Sequence, residues 1–260
     1  LNRNEIQSLI KNGFIKSSSN ISKDQVQPAS LDLTLSNTCY RVKASFIPNE
    51  IPISIILKNL TLKKINLQKN FLLEKGCIYL CELNERLSLP KEIKGKSNPK
   101  STTGRLDIFT RVITEFGSEY DFVDYNYKGK LFLEIIPQSF SVELRKNISL
   151  NQIRFFEGKE ETVSQVQKIS VSINKGKVSA YKAKKITSSI DLSKINFYIK
   201  NKYWEEIVPD DDYFIIEKNE FYILRSKELI SIPNNKAAEL EPFKDSFGNF
   251  RVHYAGFFDP

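Results

Sequence analysis

The chain repeats itself without a gap. Residues 71–99 read FLLEKGCIYLCELNERLSLPKEIKGKSNP, and residues 214–242 read FIIEKNEFYILRSKELISIPNNKAAELEP. Each position of the second stretch lies 143 residues after its counterpart. Identities fall at Phe71/Phe214, Glu74/Glu217, Lys75/Lys218, Tyr79/Tyr222, Glu85/Glu228, Ser88/Ser231, Pro90/Pro233 and Pro99/Pro242, and the apolar positions between them match in kind. The repeat predicts two copies of one domain, the second incomplete, meeting in the polar stretch Glu157 to Lys177. The expected units are residues 1–165 and 166–260.

The pattern inside each copy is that of strands. Ser30-Leu31-Asp32-Leu33-Thr34-Leu35 alternates strictly, as a half-buried strand does. Short apolar runs recur between turn residues at Phe71 to Leu73, Ile78 to Leu80, Leu131 to Ile136 and Ile153 to Phe156. One segment has helical spacing, with Ile6, Leu9 and Ile10 inside Asn4 to Asn12, ended by Gly13. Many short strands and few helices argue for an all-β sandwich or barrel. Hydrophobic content of 40% places the chain among soluble globular proteins, and no apolar run reaches the ~20 residues of a membrane span. The net charge of +8 comes from lysines in nearly every segment, a solvated basic surface rather than a nucleic-acid patch. Such a field attracts a small polyanion such as a triphosphate.

Chemistry concentrates between Pro99 and Glu134. Lys100-Ser101-Thr102-Thr103-Gly104-Arg105 packs two cations, three hydroxyls and a glycine into six residues, enough to surround a phosphate with charge-assisted bonds. Glu134 is a lone carboxylate amid Leu131, Phe132, Leu133, Ile135 and Ile136. Alternation sets it on one face with Phe132 and Ile136, where it loses solvation unless a cation reaches it. Cys39, Cys77 and Cys81 read as core thiols of a reducing, cytoplasmic protein, with Cys77 and Cys81 on one face of a strand. Zinc-dependent deamination needs His-x-Glu with Pro-Cys-x-x-Cys. Neither occurs, and His253 is the only histidine.

These stretches, in this order, resemble the dCTP deaminase branch of the dUTPase-like superfamily. Gln27-Pro28-Ala29-Ser30-Leu31-Asp32-Leu33 resembles the family's "QPSSLDLRL" strand. Leu73-Glu74-Lys75-Gly76 through Leu89-Pro90 resembles "L-x-P-G … L-P". Lys100 through Leu106 resembles the "RSSxARLG" motif, Gly129 through Glu134 resembles "G-x-I-x-L-E", and Asn147 through Phe155 resembles "G-x-x-I-x-Q-L-x-F". In the second copy Ala255-Gly256-Phe257-Phe258-Asp259-Pro260 is similar to the "A-G-x-I-D-P-G" turn that lines the deoxyribose. The whole chain is covered. It is similar to the two-domain bacterial form, and its lack of Met and its end at Pro260 read as a C-terminal truncation.

The resemblance implies distorted jelly-roll barrels in tandem duplication and hydrolytic deamination of dCTP to dUTP. Glu134 would be the general base, Arg105 would hold it and stabilise developing charge, and Ser101 would position water or the amine. Lys100, Thr102 and Gln152 would bind the triphosphate, and Asp124 and Asp259 the sugar 3′-hydroxyl. Asp32 would bond backbone amides as a structural residue. Mg²⁺ would bridge the substrate phosphates, no zinc would be needed, and sites would form between barrels of a homo-trimer or pseudo-symmetric oligomer. Neither nucleic acid nor membrane is an expected partner.

Three departures matter. Lys100 replaces the family's arginine and loses its bidentate fork. The family's turn before the base gives way to a longer loop. Within it, Val123-Asp124-Tyr125-Asn126-Tyr127-Lys128-Gly129 resembles the dUTPase "I-D-x-x-Y-R-G" motif. A dUTP diphosphatase, a bifunctional enzyme, or a nucleotide-binding protein without turnover are the alternatives.

Overall fold

The computed structural model describes residues 1–158, 166–234, 236–240 and 256–258. The first copy opens with helix α1 (Arg3–Lys11) and continues through β1 (Ile15–Ser17), β2 (Leu31–Val42), α2 (Ile53–Leu60), β3 (Thr61–Asn66), β4 (Phe71–Leu73), β5 (Ile78–Ser88) and β6 (Ile93–Pro99). It ends with α3 (Ser101–Arg105), β7 (Ile108–Thr114), β8 (Phe122–Val123), β9 (Lys128–Pro137), β10 (Val142–Leu144) and β11 (Ser149–Glu157).

Local chemistry sets the bounds of α1. The Asn2 side chain accepts from the Asn4 and Glu5 amides at 3.0 and 3.1 Å, and Glu5 returns the bond to the Asn2 amide at 2.7 Å. This reciprocal cap satisfies donors that the helix leaves open. At the other end Gly13 follows Asn12 with φ +76°, the left-handed conformation that glycine adopts without strain.

The main sheet runs β7-β9-β5-β2-β11-β6-β8, with β1 added to β5 and β3 to β2, and every pairing is antiparallel. It curls until its two ends meet. Asp121 joins them: its amide donates to Val112 O at 2.9 Å and its carboxylate accepts from Val112 N at 2.8 Å. Its carbonyl accepts from Ser97 N at 2.7 Å. One residue thus stitches β7 to β6 and closes an all-β barrel. Burial pushes the Asp121 carboxyl up to about 7, although the Val112 amide and Arg111 oppose the rise.

The wall has two apolar faces. Leu31, Leu33 and Leu35 of β2 and Leu131, Leu133 and Ile135 of β9 are fully buried inside, as alternation requires. A smaller cluster lies outside: Phe132 of β9, Leu80 of β5 and Ile113 of β7, roofed by Ile53 and Leu57 of α2. Glu115 fastens this roof by accepting from the Ile53 amide at 3.0 Å, a carboxylate at a helix N-terminus.

The second copy supplies β12 (Ala180–Ala183), β13 (Ile190–Asp191), α4 (Lys200–Tyr203), β14 (Trp204–Ile207), β15 (Tyr222–Leu224), β16 (Ala238–Glu239) and β17 (Phe257–Phe258). β12 pairs with β14 and β15, β16 with β17, and β13 lies parallel to β10 of the first copy. Phe140 meets the edges of Tyr203 and Trp204, with centroids at 6.0 and 5.3 Å. The duplication is visible at atomic detail. The Tyr79 hydroxyl accepts from the Glu74 amide at 3.0 Å, and the equivalent Tyr222 hydroxyl accepts from the Glu217 amide at 3.1 Å. Beyond this the second copy is sparser: β5 has 11 residues and its counterpart β15 has 3.

One of the three cysteines departs from expectation. Gly76, at φ +75°, turns the chain so that β5 starts only at Ile78. Cys77 is therefore not part of the strand, and it lies half-buried with Sγ 2.9 Å from Arg41 Nη2. Cys81 is in the core beside Cys39, Sγ to Sγ 2.7 Å, and burial pushes its thiol up. No helix among the described residues is long and apolar enough to cross a membrane. His253 lies outside the described residues.

An acid whose folded pKa is raised keeps its proton after the unfolded chain has released it. Asp121 therefore lowers stability progressively as pH rises from about 4 to about 7. Asp121→Asn keeps a carbonyl for the Val112 amide and imitates the protonated acid. Its melting temperature should gain on the parent across that window and then hold a constant lead. A constant difference across the window would show that Asp121 does not titrate there.

Candidate active site

The register of β7 and β5 on β9 aligns Leu80, Glu134 and Arg111 in one cross-strand row. Glu134 is 2% exposed, on the outer face and beside Leu80 of the cluster that α2 covers. Arg111 reaches it with two donors on one oxygen, Nε at 2.9 Å and Nη2 at 2.6 Å from Oε1. Oε2 takes no hydrogen bond among the described residues. The guanidinium is itself sandwiched, 3.6 Å from the Tyr120 ring centroid and 4.9 Å from that of Phe109. Burial pushes the Tyr120 phenol up, against the pull of Arg111. The result is a desolvated carboxylate held in one orientation with one oxygen left to act.

The sequence assigned this holding role to Arg105. The structure gives it to Arg111 within the chain, because Arg105 ends α3 and is exposed, whereas Arg111 sits directly across the β7–β9 ladder from Glu134. A lone arginine between Phe109 and Ile113 is the only sequence signal for it. The pairing partner depends on register, which spacing alone does not supply.

The α3 motif splits by burial. Ser101, Thr102 and Arg105 are exposed, while Thr103 is buried and donates to Leu150 O at 2.7 Å. Thr103 thereby anchors the turn and leaves its neighbours in solvent. No hydrogen bond or ion pair links α3 to Glu134 among the described residues.

A second polar group lies elsewhere on the outer wall. Asp32 of β2, Gln152 of β11 and Asn98 of β6 form a cross-strand row. Lys100 pairs with Asp32, so that carboxylate serves a cation and not only the backbone amides expected of it. Gln152, 7% exposed, accepts from Ser30 Oγ at 3.2 Å. Lys100 and Gln152 are thus brought onto one face. Asp124 is exposed, and its carbonyl accepts from the Tyr127 amide at 3.3 Å, as in a tight turn. Asp259 lies outside the described residues.

Removing Arg111 strands a buried charge. Arg111 retains 22% side-chain exposure, so Arg111→Ala should cost about 2–3 kcal/mol, below the range for fully buried pairs. Adding Glu134→Gln should recover most of it. Additive losses in urea unfolding of the double variant would mean that the pair is not coupled.

With the geometry in hand, known proteins can be compared. The family model described as the 2'-deoxycytidine 5'-triphosphate deaminase (DCD) N-terminal domain matches residues 1–159, and that of the DCD C-terminal domain matches residues 142–260. Among solved structures, the 2'-deoxycytidine 5'-triphosphate deaminase from Agrobacterium tumefaciens is 36% identical. It superposes with a TM-score of 0.93 over 100% of this chain and 83% of that one. A dUTPase of Staphylococcus bacteriophage 80alpha is 12% identical over 60% of this chain and 96% of its own. Its TM-score of 0.33 is too low to bear on fold or chemistry. No curated protein matches in sequence. Two domain models that together span the chain, and a full-length structural match, show that it belongs to the 2'-deoxycytidine 5'-triphosphate deaminase family.

Proposed function

We propose that this chain, a dCTP deaminase by family, uses Glu134 as the general base that converts dCTP and water to dUTP and ammonia. The observation that carries this reading is the buried Glu134 carboxylate, fixed by Arg111 through Oε1 with Oε2 uncommitted. Water oxygen bonds to C4 of the cytosine while its proton passes to Oε2 and on to ring N3. The C4–N4 bond then breaks. The proton of the new hydroxyl passes through the same carboxylate to the leaving nitrogen, ammonia departs, and Glu134 is restored.

In this reading Ser101 places the water or the amine, and Arg105 stabilises charge that develops on the ring. Lys100, Thr102 and Gln152 take the triphosphate, while Asp124 and Asp259 take the sugar 3′-hydroxyl. Ser101, Thr102 and Arg105 face solvent while Glu134 is buried, which fits a site completed by a neighbouring barrel. The exposed apolar side chains of Ile51, Ile55 and Phe116 give the roof a surface suited to such a trimeric or pseudo-symmetric contact.

Among the described residues no group of three or more His, Cys, Asp or Glu side chains could hold a metal ion. In this reading the chemistry calls for no protein-held zinc. Magnesium would be carried on the triphosphate oxygens, where it would neutralise phosphate charge beside Lys100 and Gln152.

Glu134→Gln should lower kcat by about 10²–10⁴-fold and leave dCTP affinity within about threefold. Activity close to the parent's would remove Glu134 from the role of base. Arg105→Ala should also lose turnover, whereas Lys100→Ala should mainly raise KM. Assaying ammonia release from dCTP beside pyrophosphate release from dUTP separates a deaminase from a diphosphatase or a bifunctional enzyme.

A further inference from the structure

Arg154 follows Gln152 by two positions on β11, so the two side chains leave the same outer face. Arg154 is 9% exposed, and its Nε has no hydrogen-bond partner among the described residues. Its Nη2 meets Glu239 Oε2 at 3.0 Å, and Lys96, directly across on β6, approaches the same carboxylate at 3.4 Å. Burial pushes the Glu239 carboxyl up, but the two cations outweigh it and hold the group below its usual range. Phe257 covers the guanidinium, 4.3 Å from its ring centroid.

Glu239 and Phe257 are paired across β16 and β17, so one two-stranded ribbon of the second copy supplies both contacts. The ribbon closes tightly. Leu240 N donates to Gly256 O at 2.8 Å, and a Cβ on Gly256 would stand 2.5 Å from that of Leu240. Any other residue at Gly256 would force the strands apart. The charge of Arg154 is taken up by Glu239 and its face by Phe257, which leaves it poorly placed to bind a phosphate.

We propose that Arg154 is a positioning residue that seats the β16–β17 ribbon on the first copy's outer face, beside Gln152. With Phe257 turned onto Arg154, the ribbon's opposite face carries the exposed Phe258, which is thereby set toward the nucleoside end of the nucleotide while the first copy holds the phosphates. The proposal rests on the reading of Lys100 and Gln152 as phosphate ligands. It adds that one ion pair aligns the second copy's contribution to nucleoside recognition with the phosphate ligands of the first.

The test compares equilibrium binding of dCTP and of inorganic tripolyphosphate to the full chain. Arg154→Ala should weaken dCTP by about tenfold and leave tripolyphosphate within about twofold. Glu239→Gln, a milder change at the rim of the same contact, should do the same. Exchanging the charges, Arg154→Glu with Glu239→Arg, should restore dCTP affinity to within about threefold of the parent. If tripolyphosphate weakens in step with dCTP, or tightens in Glu239→Gln, Arg154 is a phosphate ligand and the proposal fails. Unchanged dCTP affinity in both single variants also overturns it. Lys100→Ala separates the two readings: tripolyphosphate affinity unchanged there refutes the phosphate assignment, while the Arg154 and Glu239 comparison on dCTP still decides the seat.

Discussion

The register of β7 on β9 is the constraint on which the rest depends. A strand sends alternate side chains to opposite faces, so a slip of one residue would turn Glu134 inward and Leu133 outward. Leu131, Leu133 and Ile135 are fully buried, each worth about 2 kcal/mol, so the apolar pattern holds the register far more firmly than the polar pair does. The inner face thus delivers Glu134 to Arg111 on the outer face. Asp121 closes the barrel on Val112, the next residue along β7, so seam and ion pair share one strand.

An ion pair on an open barrel wall would contribute little, because water screens it and competes for each partner. The outer cluster changes this. Ile53 and Leu57 of α2 cover Leu80, Phe132 and Ile113, and Tyr120 and Phe109 close on the guanidinium. Glu134, beside Leu80, is itself buried, and Arg111 supplies the partner that its carboxylate needs there. The same cover strengthens any electrostatic contact that a substrate makes with Oε2.

Elements governed by local chemistry were legible from residues alone. The spacing of α1 up to its Gly13 stop, the alternation of Leu31, Leu33 and Leu35, and the face shared by Phe132 and Glu134 follow from periods of 3.6 or 2 and from glycine's freedom. The repeat was legible too, and its Tyr79/Tyr222 identity carries the same hydroxyl contact in both copies. Partners fixed by register or by long-range packing were not. Arg111 opposite Glu134, Lys100 on Asp32 and Arg154 on Glu239 join segments 23, 68 and 85 residues apart. Cys77 is not on the strand face with Cys81 because the left-handed turn at Gly76 lets β5 begin only at Ile78. Ser189-Ile190-Asp191-Leu192 repeats the pattern of Ser30-Leu31-Asp32-Leu33, but its strand is short and pairs with β10, a partner that its local sequence does not specify.

The distribution of burial argues that one barrel wall holds only part of a site. Ser101, Thr102 and Arg105 stand in water, where hydroxyls and a guanidinium bind phosphate against strong competition. Glu134 is buried and held by Arg111. Chemistry on a nucleotide needs both kinds of group around one enclosed molecule, since electrostatic stabilisation grows as water leaves. The first copy's outer face already accepts a second surface at Arg154, where a carboxylate and an aromatic ring from the second copy replace solvent. That contact shows the means by which exposed polar groups on this wall become enclosed: an apolar ribbon brings its own counter-charge and is held by it. In our reading, burial of the α3 side chains against another barrel is the same step repeated, with the triphosphate as the counter-charge.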